Sequence, residues 1–244
     1  MKCLILAAGY ATRLYPLCEN FPKPLLTVKG KTILDWLIDD LDASGEIDGY
    51  IVISNHKFYH HFKAWAEKRP QSITVLDDGT VSNESRLGAV RDMQFAIDTL
   101  SLDDDLLIVA GDNLLDFSLL TLVRYAKEKN ASAIMRYYEA SEEKLLKCGV
   151  VTLGEGDRVI DMTEKSKTPA THWCVPPFYF YKKEDARRIG EGIAAGCGVD
   201  APGSFAAWIS KNSKVFAMEM PGKRYDIGNL ASYEAVQHDF CGIK

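Results

Sequence analysis

Apolar and polar positions along the chain follow two alternating patterns. Lys2–Leu6 and Leu106–Ala110 are short, mostly apolar runs, which are typical of strands buried on both faces of a parallel sheet. Ile33–Ala43 instead carries apolar residues at helical spacing, and Tyr50–Ser54 is a further strand-like run. The chain therefore begins as strand, helix, strand, which predicts an α/β fold.

The remaining pattern predicts further helices and strands in alternation. Helices are predicted at Phe58–Arg69, Leu87–Leu100, Asp116–Asn130, Glu184–Ala195 and from Leu230 onward. Strands are predicted at Ser72–Leu76, Ala133–Tyr138, Gly149–Leu153, Val159–Met162, Phe178–Tyr181 and Ser213–Met218. Gly154–Asp157 is predicted as a tight turn between two strands, and Gly222–Asn229 as a loop.

Composition excludes several classes of protein. The 244 residues are 47% hydrophobic and 26% charged, which is typical of a globular chain with one sizeable core. The net charge of −5 lacks the basic excess of a nucleic-acid-binding protein. No apolar run approaches the roughly 18 residues of a membrane span, and no signal-peptide pattern is present. We therefore expect a cytoplasmic protein with neither a nucleic acid nor a membrane as partner.

The six cysteines and five histidines do not form a metal or redox motif. The cysteines are widely scattered without a C-x-x-C pair, and the histidines lack the spacing of metal ligands. We expect reduced thiols and no zinc site.

The segment after the first strand carries the most specific chemical signal. Leu6–Leu14 ends the apolar run in small residues and a glycine, where the backbone can approach a ligand closely. Arg13 and Lys23 add positive charge, so the segment is predicted to bind phosphate groups. It is not a P-loop, because the nearest match, Gly30–Thr32, has Leu25 in place of the first glycine. A G-x-G-x-x-G dinucleotide fingerprint is also missing.

Together these residues resemble the opening of the sugar nucleotidyltransferases, also called nucleotide-sugar pyrophosphorylases. That family has a strand followed by L-A-A-G-x-G-[TS]-R-L-x-P and then K-P-[LM]. The matching positions are Leu6, Ala7, Ala8, Gly9, Thr12, Arg13, Leu14, Pro16, Lys23, Pro24 and Leu25. Ala11 stands in place of the second glycine, so we expect it to crowd a backbone position that needs positive φ.

The resemblance covers nearly the whole chain and implies its fold and domain organisation. The implied fold is α/β, a three-layer α/β/α Rossmann-like architecture of the GT-A type, with a mixed, mostly parallel central sheet. One nucleotidyltransferase domain is expected over residues 1–244. Its nucleotide-binding half would cover about 1–115 and its sugar- or acceptor-binding half about 116–244.

Two aspartates are the predicted magnesium ligands. Asp112 follows the apolar run Leu106–Ala110, and ligands of open α/β sheets bind outside the carboxyl ends of strands. A helix N-cap is the structural alternative for Asp112, although Asp116 and Ser118 are available as caps. Asp226 matches the family's late D-I-G element, and Mg²⁺ commonly takes one or two carboxylates plus substrate phosphates.

The resemblance also assigns residues to the substrates. Arg13, Lys23 and Lys165 are the predicted catalytic residues, each neutralising phosphate charge. The predicted nucleotide-binding residues are Leu6, Ala7, Ala8, Gly9, Asn83 and Gly88. The predicted residues for the second substrate are Gly149, Glu164 and Lys165, where Glu164-Lys165 resembles the family's E-K-P element with Ser166 in place of proline.

The implied reaction joins a nucleoside triphosphate and a sugar 1-phosphate, giving an NDP-sugar and pyrophosphate with Mg²⁺ as cofactor. Its nucleophile is already an anionic phosphate oxygen, so a general base is not needed. One alternative is a cytidylyltransferase acting on phosphocholine or another non-sugar phosphate, with aromatic residues of 173–181 around the choline. Another is a non-catalytic nucleotide-sensing paralogue. A homo-oligomer is compatible with the sequence, which leaves the nucleobase, acceptor, pathway and oligomeric state open.

Overall fold

The computed structural model describes residues 1–244, which form two compact units. The first unit consists of Met1–Arg86, Ala110–Leu120 and Pro221–Lys244. The second consists of Leu87–Val109 and Thr121–Met220. The sequence suggested two halves that meet near residue 115. The two units are divided differently, because the last 24 residues group with the first unit.

The first unit contains a set of parallel strands, two short antiparallel pairs and three helices. Its strands are β1 (Lys2–Leu6), β2 (Thr27–Val28), β3 (Lys31–Thr32), β4 (Tyr50–Ser54), β5 (Ile73–Asp77), β7 (Asn113–Leu115) and β14 (Arg224–Asp226). Its helices are α1 (Ile33–Asp42), α2 (Tyr59–Ala66) and α9 (Leu230–Asp239). β4 lies between β1 and β5 and pairs with both in parallel.

Local sequence explains where α1 begins and which face it buries. The Thr32 side chain accepts a hydrogen bond from the Asp35 amide, and the Asp35 carboxylate accepts one from the Thr32 amide. This capping box satisfies amides that the first turn leaves unpaired. The buried residues of α1 recur at helical spacing and are Ile33, Leu34, Leu37, Ile38 and Leu41.

The second unit is mainly an antiparallel sheet with helices. Its strands are β6 (Leu106–Ala110, whose last residue begins the first unit's middle segment), β8 (Ser132–Tyr138), β9 (Gly149–Leu153), β10 (Val159–Glu164), β11 (Trp173–Val175), β12 (Phe178–Tyr181) and β13 (Val215–Glu219). Its helices are α3 (Ala89–Leu100), α4 (Leu120–Lys129), α5 (Glu142–Leu145), α6 (Lys183–Ala186), α7 (Ile189–Ala194) and α8 (Gly203–Asn212). The strand order is β10-β9-β11-β8-β12-β6, and β13 pairs with β8 in parallel.

The predicted α/β class and mixed sheet are confirmed, but mostly parallel pairing is confined to the first unit. In the second unit β9 pairs antiparallel with β10 and β11, and β12 pairs antiparallel with β6 and β8. A short connection explains the direction of the β9–β10 pair alone, because only the segment 154–158 joins these strands and a parallel crossover needs about a dozen residues or more.

Several element boundaries also differ from the predictions. The predicted helix at Asp116–Asn130 begins only at Leu120, and Glu184–Ala195 is broken into α6 and α7. The loop predicted at Gly222–Asn229 contains β14, while α8 and β11 were not predicted. No helix in the chain has the length and apolar character needed to cross a membrane.

Candidate active site

Hydrogen bonds to neighbouring residues fix the first residues of the loop after β1, and the loop becomes exposed at Gly9. The Ala7 amide donates to Ile53 O at 2.9 Å, and Asn55 Nδ2 donates to Ala8 O at the same distance. The following Gly9 is exposed, and a Cβ built on it would meet no atom within 4 Å. Leu6 therefore ends β1, and Ala7, Ala8 and Gly9 form an anchored loop with open space at Gly9, as a phosphate-binding backbone requires.

Ala11 adopts the left-handed conformation that the sequence led us to expect. Its φ is 47° and its ψ is 40°, and it precedes the short 3₁₀ turn Thr12–Leu14. Leu14 is 1% exposed and fixes this turn in the core. Arg13, between Thr12 and Leu14, is exposed and makes no hydrogen bond or ion pair within the protein, so its guanidinium is available to an anion.

Lys23 is the buried cation of the first unit. It lies in the 3₁₀ turn Lys23–Leu25, and only 7% of its surface is exposed. Its Nζ donates to Asp112 Oδ2 at 2.7 Å and lies 4.0 Å from Asp226 Oδ1. Three predicted site residues that are far apart in sequence are thus brought together.

A chain of hydrogen bonds fixes the Asp112 carboxylate. Asn113 Nδ2 donates to Asp112 Oδ1 at 2.8 Å, and Arg224 Nη1 donates to Asn113 Oδ1 at 2.9 Å. Desolvation by the surrounding protein acts to raise the pKa of Asp112, but the charge and hydrogen bond of Lys23 and the charge of Arg224 outweigh it. The net effect is a pKa below the ordinary value, so Asp112 is ionised at neutral pH.

Pairing of β7 with β14 explains why Asp226 lies near Asp112. In this antiparallel pair Asp226 is opposite Asn113, the residue that follows Asp112. The N-cap alternative for Asp112 is wrong, because α4 begins eight residues later at Leu120. There the Leu120 amide donates to Ser118 Oγ at 3.2 Å.

The donors around Asp112 and Asp226 fit a magnesium ion. Both side chains are partly exposed, at 43% and 59%, and both approach the same Lys23 ammonium. Two carboxylates leave coordination positions for water and phosphate oxygens, as Mg²⁺ prefers. No group of three or more His, Cys, Asp or Glu side chains is arranged to hold a metal by itself.

Glu164, in the second unit, lies in a slot between two glycines. Gly149 is opposite Glu164 in the β9–β10 pair, and a Cβ on Gly149 would lie 2.7 Å from Glu164 Oε2. A Cβ on Gly203, at the start of α8, would lie only 2.0 Å from the same oxygen. Burial raises the pKa of Glu164 to about 7, although the neighbouring Lys165 lowers it in part.

Lys165 follows Glu164 in a strained backbone conformation. Its φ is 49°, and its amide donates to Cys148 O at 3.0 Å. Its Nζ lies 3.7 Å from Asp200 Oδ2 and is about half exposed. Positive φ in a non-glycine residue is a form of backbone strain, and the role of Lys165 toward a sugar phosphate stays a prediction.

Gly88 belongs to the second unit and Asn83 to the first. Gly88 has a φ of 91°, and a Cβ on it would lie 2.5 Å from Val199 O. The next two amides, of Ala89 and Val90, donate to the carbonyls of Asp200 and Val199. Close backbone packing therefore explains this glycine. Asn83 is exposed in the first unit, and its carbonyl accepts from Arg86; a nucleotide contact for either residue stays a prediction.

The aromatic residues of 173–181 do not form an open cage for choline. Phe178, Tyr179, Phe180 and Tyr181 are at most 2% exposed. The face of Trp173 is covered by the Arg136 guanidinium, 4.9 Å from the ring centroid. The phosphocholine alternative depended on an open aromatic cage at residues 173–181, and these residues do not form one.

Some residues of these clusters were not singled out from the sequence. Asn113 and Arg224 position the Asp112 carboxylate, and Gly203 makes room for Glu164. Asn113 adjoins the predicted Asp112 and Arg224 lies two residues before Asp226, so proximity in sequence was the available signal. Gly203 had none, because α8 was not predicted.

Comparison with known proteins places the chain in a family. A nucleotidyl transferase family model matches residues 2–241, so the chain belongs to the nucleotidyl transferase family. The structure of a UDP-glucose pyrophosphorylase with UDP-glucose matches 97% of this chain and 96% of that chain, with a TM-score of 0.80 at 16% identity. This likeness confirms the predicted nucleotidyltransferase fold.

Two relatives show how far sequence similarity extends. A protein of Sulfolobus acidocaldarius, provisionally named mannose-1-phosphate guanyltransferase, is 30% identical over 78% of this chain and 50% of its own length. A UTP–glucose-1-phosphate uridylyltransferase of Synechocystis is 24% identical over 96% of this chain and 61% of its own length. The chain thus spans about half to three fifths of the length of these relatives.

Proposed function

We propose that this chain is a magnesium-dependent sugar-1-phosphate nucleotidyltransferase. The observation that carries the proposal is the cluster of Lys23, Asp112 and Asp226 within a chain of the nucleotidyl transferase family. The relatives named above act on glucose 1-phosphate or mannose 1-phosphate according to their names. They differ in nucleobase, so the base is left to experiment.

In the proposed reaction an oxygen of the sugar 1-phosphate attacks the α-phosphorus of the nucleoside triphosphate. The new oxygen–phosphorus bond forms as the bond from the α-phosphorus to the bridging β-phosphate oxygen breaks, and pyrophosphate leaves with that electron pair. The nucleophile is already anionic, so no proton has to move. Catalysis then depends on position and charge neutralisation.

The residues divide this work between the two substrates. Amides around Gly9 would bind the triphosphate, while Lys23 and the exposed Arg13 would neutralise charge on the reacting phosphate and on pyrophosphate. Glu164 would accept hydrogen bonds from sugar hydroxyls, and Lys165 would bind the sugar phosphate. Asp112 and Asp226 would hold Mg²⁺, which when bound neutralises phosphate charge and orients the triphosphate.

The test is pyrophosphate release by the purified protein with Mg²⁺, each common nucleoside triphosphate and a panel of sugar 1-phosphates plus phosphocholine. We expect release with at least one sugar 1-phosphate and none with phosphocholine. Release with phosphocholine alone would replace the proposal by the cytidylyltransferase. Binding of a nucleotide without release across the panel would favour the sensing paralogue.

A further inference from the structure

Tyr10 is the buried residue of the predicted phosphate-binding loop. Only 5% of its surface is exposed, whereas Gly9 and Arg13 in the same loop are exposed. Between Ala7 and Leu14 no other residue is buried. Tyr10 is therefore the side chain that fixes the loop to the protein at the point where the loop backbone is open to solvent.

The Tyr10 hydroxyl joins the loop after β1 to the turn after β5. Its Oη donates to Thr80 O at 3.0 Å, and the two residues are 70 positions apart in sequence. This hydrogen bond is buried, so water does not compete for the same partners. The Thr80 carbonyl also accepts from the His56 amide at 2.9 Å.

Further hydrogen bonds fix the turn that receives the hydroxyl. The Thr80 amide and Thr80 Oγ1 both donate to Asp78 Oδ1, each at 2.7 Å. The Asp78 amide donates to Ser54 O at 2.9 Å, which ties the turn to the end of β4. The acceptor of the Tyr10 hydroxyl thus has a defined position, and through it the loop has one as well.

The Tyr10 ring is positioned independently of its hydroxyl. The ring packs on Phe58, with the centroids 6.3 Å apart and the planes at 46°. Phe58 is fully buried, and its amide donates to Asn55 Oδ1 at 3.0 Å. Asn55 is also the residue that donates to Ala8 O. Loss of the hydroxyl alone therefore leaves the ring and the other anchor of the loop in place.

The contact between Tyr10 and Thr80 fixes two segments that are predicted to bind the nucleotide. One is the open backbone at Gly9, which adjoins Tyr10. The other contains Asn83, three residues after Thr80. A hydrogen bond between two ligand-binding segments lowers the cost of ordering them when the ligand binds. Binding of the nucleotide should therefore depend on this contact.

We propose that Tyr10 is a positioning residue for the nucleoside triphosphate, and that its hydroxyl holds the phosphate-binding loop in the arrangement that binds the triphosphate. The effect is indirect, because the hydroxyl donates to Thr80 O and not to a substrate. The identity of the ligand rests on the proposed function. Without the hydroxyl the loop also populates other arrangements, and the apparent affinity falls with the population of the competent one.

The test is equilibrium binding to the full chain, measured by isothermal titration calorimetry with the Mg²⁺ complexes of ATP, GTP, CTP, UTP and dTTP. For the nucleotide that binds the wild type most tightly, the Kd should rise roughly fivefold in Tyr10→Phe, which is the factor that corresponds to one hydrogen bond. The KM for the sugar 1-phosphate at saturating nucleotide should stay within roughly twofold of the wild type.

Tyr233→Phe is the matched control in the same unit. The Tyr233 hydroxyl also donates to a threonine carbonyl, Thr27 O at 2.8 Å, and Gln237 Nε2 supplies that carbonyl with a second donor. Tyr233 lies in α9 and outside the predicted loop, so this variant should keep the Kd of the wild type. Thermal melting of both variants shows that they fold, and binding is measured well below either midpoint.

A second pair of variants tests the turn that receives the hydroxyl. Thr80→Val loses the bond from Oγ1 to Asp78 and should also raise the Kd of the nucleotide. Thr80→Ser keeps that hydroxyl and should bind as the wild type does. When Tyr10→Phe and Thr80→Val are combined, the two losses should not multiply, because both act on the same contact.

Three results would overturn the inference. The first is an unchanged Kd in Tyr10→Phe, including the case in which the wild type binds none of the nucleotides. The second is an equal rise in Tyr233→Phe. The third is a rise in the KM for the sugar 1-phosphate as large as the rise in the Kd. Binding of a nucleotide by the wild type without release of pyrophosphate would instead contradict the proposed function, and the Kd values would still decide the role of Tyr10.

Discussion

Lys23 is a nearly buried lysine whose ammonium group lies next to two carboxylates. A buried ammonium without a partner is costly, and here Asp112 Oδ2 lies at 2.7 Å with Asp226 Oδ1 at 4.0 Å. The two carboxylates are the more exposed members of the cluster. A cation and two anions are therefore fixed in place before any substrate arrives, which is the condition for electrostatic catalysis.

Ala11 provides a test of backbone strain at one residue. With φ at 47°, the left-handed conformation of Ala11 is strained by about 1–2 kcal/mol, because its Cβ approaches the following carbonyl oxygen. Glycine has no Cβ and adopts this conformation without that strain. Ala11→Gly loses a methyl group and gains unfolded-state entropy, so we expect a free energy of unfolding equal to or up to about 1 kcal/mol above the wild type. The measurement is urea denaturation.

Ala64→Gly is the matched control for this change. Ala64 is an exposed residue inside α2, so the same substitution should lower the free energy of unfolding by about 1 kcal/mol. If Ala11→Gly loses as much stability as Ala64→Gly, strain at Ala11 is contradicted.

Glu164 should make stability depend on pH. Its folded pKa of about 7 is above the ordinary 4.5, so the folded protein holds the proton more tightly than the unfolded chain. The contribution is fully present below pH 4.5 and is lost as pH rises through 7. The loss should be on the order of 3 kcal/mol.

Glu164→Gln isolates this contribution, because glutamine keeps the shape but does not titrate. Urea midpoints of both proteins between about pH 5 and 8 should show the wild type losing stability relative to the variant as pH rises. Parallel curves would mean that Glu164 has an ordinary pKa.

Short elements bring the site residues together. β7 and β14 have three residues each, and their pairing places Asp226 opposite Asn113 across more than a hundred positions of sequence. α8 begins at Gly203, against the Glu164 carboxylate. Within each unit, the cluster therefore depends on contacts that no single element contains.

Gly203→Ala tests the contact between α8 and β10. The added Cβ would displace the Glu164 side chain, whose flexibility lets the fold accept the change. We expect the KM for the sugar 1-phosphate to rise by roughly tenfold with the KM for the triphosphate unchanged.

Gly190→Ala is the control within the same unit. Its Cβ would approach only the end of the Gln94 side chain, at 3.2 Å, and should leave both KM values unchanged. An unchanged KM for the sugar 1-phosphate in Gly203→Ala would remove Glu164 from that substrate's site.

Helices and strands are predicted correctly from the sequence where an apolar run or a periodic pattern extends over enough residues to be recognised. Leu106–Ala110 and Phe178–Tyr181 are continuous apolar runs and occur as strands with the predicted bounds. β7 and β14 are too short for any periodicity, and α8 follows a segment rich in glycine and proline that indicates a loop. The antiparallel second unit was missed because periodicity does not report strand direction.

At the scale of the whole molecule, chain order and spatial grouping differ. Pro221–Lys244 belongs to the first unit with the segment that carries Lys23, so the last 24 residues supply Asp226 and Arg224 to its site. The motif resemblance identified Asp226 without this geometry. It could not identify Arg224 or Asn113, because their roles arise from hydrogen bonds made only in the folded chain.

The most direct test of the central claim is a double-mutant cycle on pyrophosphate release with Asp112→Asn, Asp226→Asn and the double variant. If the two aspartates hold one magnesium ion, each single variant should lose roughly 100-fold or more in kcat, and the double variant should lose about as much as the worse single one. Losses that multiply in the double variant, or a near-normal rate in either single variant, would contradict a shared magnesium site.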